Sequence, residues 1–332
     1  MCSKKRKNSK NPYSNYKIFY GIPHCHTSIS TGRGSTKEAV EHAIKNNLDY
    51  LIITDHNVYL NKSYKKDKSY WKFQKDQIYK LNKKYKKFLT IMGFEYKLYP
   101  KLDINIIGTK ECISEKISVK DIETWIKDNK GIGIINHPGS YVDKIKKKLN
   151  LNKVIRCIEV GNGSPPHKYR RYYHQYFKLL DLGWKLAAIN GQDNHRKNWG
   201  DAENLTAVFL KKLNCKSLLE CYGKGRTYST ESKTLKIYFS VNQAIVGDTI
   251  SSKDCNKLNF KIIATDDKYL VKAIKIITKD SFIVNEKIAD IPKHTLNLIF
   301  SIDCPNINTW YVANVLLENN LEAITSPIYI RV

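Results

Sequence analysis

The feature that most constrains this 332-residue chain is a repeated pattern in which a short apolar run ends in His, Asp or Glu. Between about Tyr16 and Tyr228, such runs alternate with amphipathic stretches. This alternation predicts βα units and a parallel sheet or barrel. Ser35 and Glu38 have the spacing of a capping box, which predicts the start of the first helix.

The apolar runs define the expected elements. The predicted strands of the first part are Ile18–His26, Tyr50–Thr54, Phe88–Phe94, Ile104–Gly108, Gly131–Asn136, Val154–Val160, Trp184–Asn190 and Leu205–Leu210. After the helix at Ser35, further helices are predicted over Tyr70–Lys87, Asp121–Asn129, Lys168–Leu182 and Ser217–Tyr222. The fold class expected for this part is α/β.

The pattern changes after Ser232, where short apolar runs are separated by turn residues without a helical period. Strands are predicted at Leu235–Val241, Leu258–Ala264, Val271–Thr278, Leu296–Ile302, Thr309–Leu316 and Ile328–Val332. Such a pattern is typical of a small antiparallel β-sandwich. We therefore expect a disordered basic lead over residues 1–15, an α/β domain over 16–232 and a β-sandwich over 233–332.

The sequence also indicates a compartment. It has no apolar run long enough for a membrane span. The basic, polar segment Met1–Lys10 has no apolar stretch behind it, so we expect no secretory signal. The eight cysteines are scattered and form no CxxC pair, which favours buried thiols over a disulfide framework or zinc ribbon. We expect a cytoplasmic protein.

The formal net charge of +26 raises the question of a polyanionic partner. Dense Lys and Arg favour nucleic acid through counterion release. Here lysine supplies nearly all of the charge and is spread along the whole chain with abundant Asn, Ile and Tyr. This distribution favours a compositional bias over a dedicated nucleic-acid interface. The expected consequence is a positive field that attracts phosphorylated substrates.

Potential metal ligands stand where the predicted strands end. His24 and His26 end the first strand, and alternate residues of a strand share one face, so both imidazoles point the same way while Cys25 points opposite. Two imidazoles on one face can chelate a metal. Other strand ends carry Asp55, His56, Glu95, His137, Glu159, Asp193 and His195. Because an α/β barrel gathers the carboxyl ends of its strands at one mouth, we expect these side chains to converge.

The ordered motifs resemble those of the PHP (polymerase and histidinol phosphatase) superfamily. They are His24-x-His26, Thr54-Asp55-His56, Gly93-x-Glu95, His137-Pro138 and Asp193-x-His195. The segments Gly223–Tyr228, Phe239–Asp248 and Thr325–Val332 are similar to the C-terminal part of carbaryl hydrolase-like PHP proteins, which append a β domain. The resemblance implies a distorted (β/α)7 barrel that binds two or three divalent ions (Mn, Zn or Fe).

The resemblance also implies a ligand set. The first ion would be held by His24, His26, Glu95 and Asp193. Glu95 would bridge to a second ion, which His137 also binds. Asp103 stands where relatives often have histidine. It is either a ligand, which would favour a harder ion such as manganese over zinc, or a solvated loop residue.

A third ion would be served by His56 and His195. Many relatives add an aspartate where this chain has Thr31, so the third site is expected to be weak or empty. In that case His195 or His56 could protonate a leaving group as a catalytic residue. Asp55 is expected to act in catalysis by orienting His26 or His56.

Several residues are candidates for contacts with substrate. Guanidinium groups match phosphate in a bidentate manner, and Arg196 directly follows the Asp-x-His motif. Arg33 and the segment Lys168–Arg171 are further candidates, although each is also consistent with an ordinary surface cation. Glu159 and Asn162 are expected either to touch substrate or to complete a strand end.

These expectations define a metal-dependent phosphoesterase in which metal-activated water attacks a phosphate mono- or diester. An amide, ester or carbamate hydrolase could use the same site. A nuclease or nucleic-acid-binding module, and a catalytically silent barrel with structural metals, remain alternatives. The expected partner is a small anionic substrate, phosphorylated in the main hypothesis, and no membrane partner is expected. The sequence alone defines no oligomeric state.

Overall fold

The computed structural model describes residues 11–65 and 68–332. Strands and helices alternate in its first part, in the order β1 (Lys17–Ile22), α1 (Thr36–Lys45), β2 (Tyr50–Ile53), α2 (Asn57–Leu60), β3 (Ser63–Lys65), β4 (Lys68–Ser69), α3 (Tyr70–Lys84), β5 (Leu89–Tyr99), β6 (Leu102–Ile107), α4 (Ile122–Asp128), β7 (Ile132–Ile135), β8 (Ile155–Asn162), β9 (Arg170–Arg171), α5 (Tyr173–Asp181), β10 (Ala187–Gly191), β11 (Leu205–Leu210), α6 (Cys215–Lys224) and β12 (Thr227–Thr230). Within the described ranges, no helix has the length and apolar character needed to cross a membrane.

The C-terminal part is almost entirely strand. Its elements are β13 (Lys236–Val241), β14 (Ala244–Ile245), β15 (Thr249–Ser251), β16 (Lys257–Thr265), β17 (Val271–Ile277), β18 (Ile283–Lys293), β19 (Thr295–Asp303), β20 (Thr309–Leu317), β21 (Glu322–Thr325) and β22 (Ile328–Arg331). The antiparallel pairs β13–β16 and β16–β19 lie in one sheet, while β17, β18, β20 and β21 extend the sheet of the first part. Buried residues such as Phe239, Phe260 and Tyr311 form the core of this region.

The strand order of the main sheet determines where strand ends meet. The order is β10-β8-β7-β6-β5-β2-β1-β11-β12-β21-β20-β17-β18. The pairs β1–β2, β2–β5, β7–β8 and β8–β10 are parallel, so their carboxyl ends lie at one edge. β6 pairs antiparallel with both β5 and β7, which differs from the expected parallel arrangement. The hairpin from β5 to β6 therefore returns the start of β6 to the edge where the parallel strands end.

The local signals explain the first helix. The Ser35 hydroxyl accepts from Glu38 N–H at 3.2 Å, and the Ser35 N–H donates to the Glu38 carboxylate at 2.8 Å. The predicted capping box is therefore confirmed. The buried face of α1 carries Ala39, Val40 and Ala43, which pack against β2 and its neighbours. Cys25, between the two histidines of the first motif, lies in the same buried cluster.

The free edge of β10 is tied to β11, β12 and the C-terminal segment by side chains. The Thr206 hydroxyl accepts from Asn190 N–H at 2.8 Å and donates to Asn190 C=O at 3.0 Å. Thr227 donates to Ala188 C=O at 2.8 Å, and Ala188 N–H donates to Ser326 at 3.0 Å. Among the described strands, the backbone N–H and C=O groups on this edge of β10 are therefore paired with side-chain hydroxyl groups rather than with the backbone of another strand.

The expected disordered basic lead over residues 1–15 falls mostly outside the described residues, which begin at residue 11, and residues 12–15 form a turn. Tyr13 is buried among the residues of the C-terminal core, and its hydroxyl donates to the carbonyl of Phe239. The apolar ring of a tyrosine contributes substantial burial, which explains why this segment orders. The strand β18 was also not predicted, because most of its residues are exposed on both faces and show no alternation.

We predict that Thr206→Val lowers the free energy of unfolding by about 1–3 kcal/mol, because a near-isosteric side chain leaves two backbone groups of Asn190 unpaired in the interior. Urea denaturation monitored by tryptophan fluorescence measures the change. The matched control is Thr295→Val, whose hydroxyl lies in an exposed pair with Thr265. Equal stability of the two variants would contradict the role given to Thr206.

Candidate metal centre

The predicted ligands meet at one edge of the main sheet. His24 and His26 follow β1, His56 follows β2, and Glu95 lies within β5 just beyond its pairing with β2. The backbone bridge between His56 and Glu95 and the bridge between Cys25 and Asn194 hold these segments side by side. His137 follows β7, and the pair Asp193 and His195 follows β10. The common direction of the parallel strands therefore brings distant residues into one pocket.

The first group consists of His24, His26 and Asp193. The Nε2 atoms of His24 and His26 lie 3.2 Å apart. Asp193 Oδ1 lies 3.3 Å from His24 Nε2 and 3.1 Å from His26 Nε2. Ligand atoms about 2.1 Å from one ion in a tetrahedral or octahedral arrangement are separated by about 3.0–3.4 Å. The spacing of these donor atoms therefore fits a shared cation.

Glu95 presents its two oxygens to different imidazoles. Oε2 lies 3.3 Å from His26 Nε2 and 3.3 Å from His56 Nδ1. Oε1 lies 3.3 Å from His137 Nε2 and accepts a hydrogen bond from Asn136 Nδ2 at 2.8 Å. The side chain is only 3% exposed, so its orientation is fixed by these contacts. A carboxylate placed in this way suits a bridge between two ions.

Among the residues that the structure describes, three groups of side chains have ligand atoms within 4.8 Å of one another: His24, His26 and Asp193; His26, His56 and His195; and Glu95, Asp103 and His137. His26 belongs to two of these groups. Asp103, at the start of β6, joins the third group because the hairpin places it near Glu95. The structure thus brings together all the residues for which a metal role was predicted.

Glu159 was expected either to contact substrate or to complete a strand end, and it lies near the end of β8. It is fully buried, and Oε1 lies 2.7 Å from His24 Nδ1. Oε2 accepts from the backbone N–H of His137 at 2.6 Å and from Asn162 Nδ2 at 2.8 Å. Both oxygens are therefore engaged by the protein itself. Glu159 positions His24, and Asn162 supports Glu159, as carboxylates commonly orient metal-binding histidines.

Asp55 lies behind the cluster. Its carboxylate accepts from Thr27 N–H at 2.8 Å, from the Thr27 hydroxyl at 2.6 Å and from Gln74 Nε2 at 2.6 Å. It also accepts from the Ser30 hydroxyl, which lies 3.4 Å from His26 Nδ1. Asp55 therefore orients His26 through Ser30, and its carboxylate is turned to the loop after His26. It is a positioning residue rather than a group at the reacting centre.

The partners of Asp55 were not found from the sequence, although one signal was present. Gln74 is fully buried on the face of α3 that also carries Trp71, Ile78 and Leu81. A polar residue in the apolar stripe of a helix requires an internal partner. Here that partner is Asp55. Asn136 and His167 were also missed, and the His167 ring centroid lies 5.7 Å from that of His195.

The carboxylates around the buried imidazoles favour positive charge in this pocket. Burial alone would lower the pKa of His24, but Asp193, Glu159 and Glu95 raise it well above its ordinary value. Burial also lowers the pKa of His26, but the hydrogen bonds to Asp193 and Glu95 outweigh this effect and raise the pKa to about 9. For His137, burial is outweighed by Glu95, and the pKa rises to about 9. The carboxylates thus hold positive charge in this pocket.

The two histidines at the mouth behave differently. Burial, together with the nearby His26, lowers the pKa of both His56 and His195. The two side chains are about one third exposed, and their ring centroids lie 4.7 Å and 4.5 Å from that of His26. They are therefore neutral near pH 7, which is the state that binds a metal. Thr31 is exposed and supplies no carboxylate to this group.

The arginine residues that were expected to contact substrate fall into two groups. Arg33 and Arg196 are exposed, and the backbone N–H of Arg33 donates to His195 C=O at 3.1 Å, so their loops adjoin. Arg171 is engaged elsewhere, because its guanidinium bonds to Glu231 at 2.7 Å and to Glu322 at 2.9 Å. Within the predicted segment Lys168–Arg171, Arg171 therefore links β9 to Glu231 and to Glu322 of the C-terminal region, and its guanidinium is not available to bind substrate.

The chain belongs to the PHP domain family, whose model matches residues 23–221, more than half of its length. It is similar over 92% of both chains, with 17% identity and a TM-score of 0.55, to a two-domain protein of Bacteroides vulgatus described as containing a predicted PHP-like metal-dependent phosphoesterase. It is 30% identical over 229 residues to the DNA polymerase/3'-5' exonuclease PolX of Bacillus subtilis. That match covers 58% of this chain and only 40% of PolX.

We predict that His26→Ala lowers the bound metal per chain more than His137→Ala does, because His26 contributes to two ligand groups and His137 to one. Equilibrium dialysis against Mn²⁺ or Zn²⁺ followed by elemental analysis measures the stoichiometry. The matched control His174→Ala removes an exposed histidine of α5 and should retain the full metal content. Unchanged metal content in His26→Ala would refute the cluster as a metal site.

We also predict that metal binding releases protons at pH 7 and strengthens as the pH rises towards 9. At pH 7 the imidazoles of His26 and His137, with pKa values of about 9, carry protons that an ion must displace. Calorimetric titration in two buffers with different heats of ionisation measures the protons released. His137→Gln should lower that number. Heats that are independent of the buffer would contradict the prediction.

Proposed function

We propose that this protein is a metal-dependent phosphoesterase that hydrolyses phosphate mono- or diesters. The observation that supports it most is the carboxylate of Glu95, whose two oxygens face separate sets of imidazoles. When bound, divalent ions would supply Lewis-acid polarisation of the phosphoryl oxygens and water that is deprotonated near neutral pH. The ligand groups suit two or three such ions, and the carboxylate of Asp103 favours manganese over zinc at the second position.

The protein's own residues set the geometry of this reaction. Glu159 holds His24 in one orientation, and Asp55 acts on His26 through the Ser30 hydroxyl. His56 and His195 remain candidates for contact with the reacting atoms because they line the mouth. Since burial lowers the pKa of both groups, they favour the role of ligand or proton acceptor over that of acid near pH 7.

Charge supports an anionic substrate. Arg33 and Arg196 are exposed on adjoining loops at the mouth, and Lys97 lies opposite Asp103 in the β5–β6 hairpin. The formal charge of +26 adds a positive field around the pocket. The name of the PolX relative includes a 3'-5' exonuclease, which cleaves phosphodiesters and is consistent with a diester substrate. In this proposal the first domain is a distorted (β/α)7 barrel, the second a β-sandwich, and the protein is cytoplasmic.

A second candidate function is hydrolysis of an ester, amide or carbamate at the same centre. The observation that favours it is a mostly apolar cavity lined by Asn57 and Tyr96, which directly follow His56 and Glu95, because such a cavity fits an organic group better than a bare phosphate. Comparison of a p-nitrophenyl phosphodiester with the matching p-nitrophenyl carboxylate ester separates the two reactions. A higher kcat/KM for the carboxylate ester would favour this second function.

We expect the Mn²⁺-loaded protein to hydrolyse bis(p-nitrophenyl) phosphate and to lose activity on chelation. Glu95→Gln and Asp193→Asn should each lower kcat by about 10³-fold or more, because each removes a charge that holds the ions and balances the developing charge. Release of p-nitrophenolate measures the rate. Asp267→Asn, a change at an exposed ion pair with Lys236, is the matched control. Full activity in Glu95→Gln would rule out the proposed centre.

A further inference from the structure

A cavity of about 540 Å³ is lined by Asn57 and Tyr96, the residues that directly follow the candidate ligands His56 and Glu95. Its walls come from the end of β5, the segment 114–119 and the first turn of α2. The apolar lining residues are Val58, Tyr96, Leu98, Tyr99, Ile117 and Val119. A volume of this size is typical of sites for small organic ligands.

The walls of the cavity are held by hydrogen bonds. The Tyr96 hydroxyl donates to Ile117 C=O at 3.1 Å and accepts from Ile117 N–H at 3.0 Å. Asn57 Nδ2 donates to Ile113 C=O at 3.2 Å, which ties α2 to the segment leading into the opposite wall. Side chains fixed in this way lose little freedom when a ligand binds. The cavity is therefore organised before any ligand enters.

Two elements lead from the candidate ligands to the cavity. Asn57 directly follows His56, and Tyr96 directly follows Glu95, although alternate residues of β5 face opposite sides, so Tyr96 lies on the other face of the strand from Glu95. Lys97, which also lines the cavity, stands two residues after Glu95 on the same face of β5. It is paired across the hairpin with Asp103, a member of the Glu95 group. Lys97 thus lies at the border between the ligand cluster and the apolar walls.

We propose that this cavity binds an apolar group, aromatic or branched alkyl, of a phosphoester substrate, and that Lys97 contacts the phosphate at the border. The inference rests on the proposed function, because it assigns the remainder of the same substrate. Val58 is 61% exposed at the start of α2, and such an apolar side chain beside a polar centre gains stabilisation when a ligand covers it. Tyr96 and Tyr99 supply aromatic rings for an aryl group.

The test compares phenylphosphonate with methylphosphonate, two anions that share the phosphonate and need no turnover. Binding to the Mn²⁺-loaded protein is measured by calorimetry. We expect phenylphosphonate to bind at least tenfold more tightly. Val58→Asp should bring this ratio towards one, since a carboxylate on the cavity wall disfavours an aryl ring. Ile299→Asp, the same change at an exposed isoleucine of β19, should leave the ratio unchanged.

The outcomes separate this inference from the proposed function. Equal binding of the two phosphonates, an unchanged ratio in Val58→Asp, or binding of neither anion would overturn the assignment of the cavity. Turnover of bis(p-nitrophenyl) phosphate together with any of these results would leave the phosphoesterase intact and remove only the apolar subsite. A preserved phenyl preference in a protein without phosphoesterase activity would support the cavity and defeat the reaction. Lys97→Gln should weaken the binding of both phosphonates by the same factor, which distinguishes a contact of Lys97 with the phosphonate from a contact of Val58 with the phenyl group.

Discussion

The structure depends on balancing buried charge at one edge of its main sheet. Glu95 is almost fully enclosed, and burial of an uncompensated carboxylate is costly. The compensation comes from imidazoles that reach it from the ends of several strands, at distances that also suit a shared cation. Among the imidazoles of the cluster, His24 is held by Glu159, and His26 is held by Asp55 through Ser30. Removing the imidazoles would leave the buried Glu95 carboxylate without these partners.

Much of the centre could be predicted because two simple rules determine it. Alternate residues of a strand share a face, which placed His24 and His26 together, and parallel strands end at one edge, which gathered Glu95 and His137. The antiparallel course of β6 did not follow from the apolar pattern, since a hairpin and a crossover can carry similar strands. That course is what brings Asp103 to the same edge.

The side-chain partners were less predictable than the positions. Glu159 and Asn162 occupy a strand end as expected. Whether the Glu159 carboxylate faces substrate or a histidine depends on side-chain distances that the spacing of residues in the sequence does not determine. Arg171 resembled a phosphate-binding cation, but its acidic partners Glu231 and Glu322 lie 60 and 151 residues away in sequence. The same long-range packing orders Tyr13. Local patterns therefore identified the elements and the ligands, whereas contacts between distant segments assigned the supporting roles.

We propose that the two oxygens of Glu95 serve different ions. Anomalous diffraction from crystals grown with Mn²⁺, collected at the manganese absorption edge, would show how many ions this carboxylate binds. We expect two peaks that flank the Glu95 carboxylate, one towards His24, His26 and Asp193 and the other towards Asp103 and His137. Saturated crystals that show no peak at this carboxylate, or a single peak bound by only one of these groups, would contradict it.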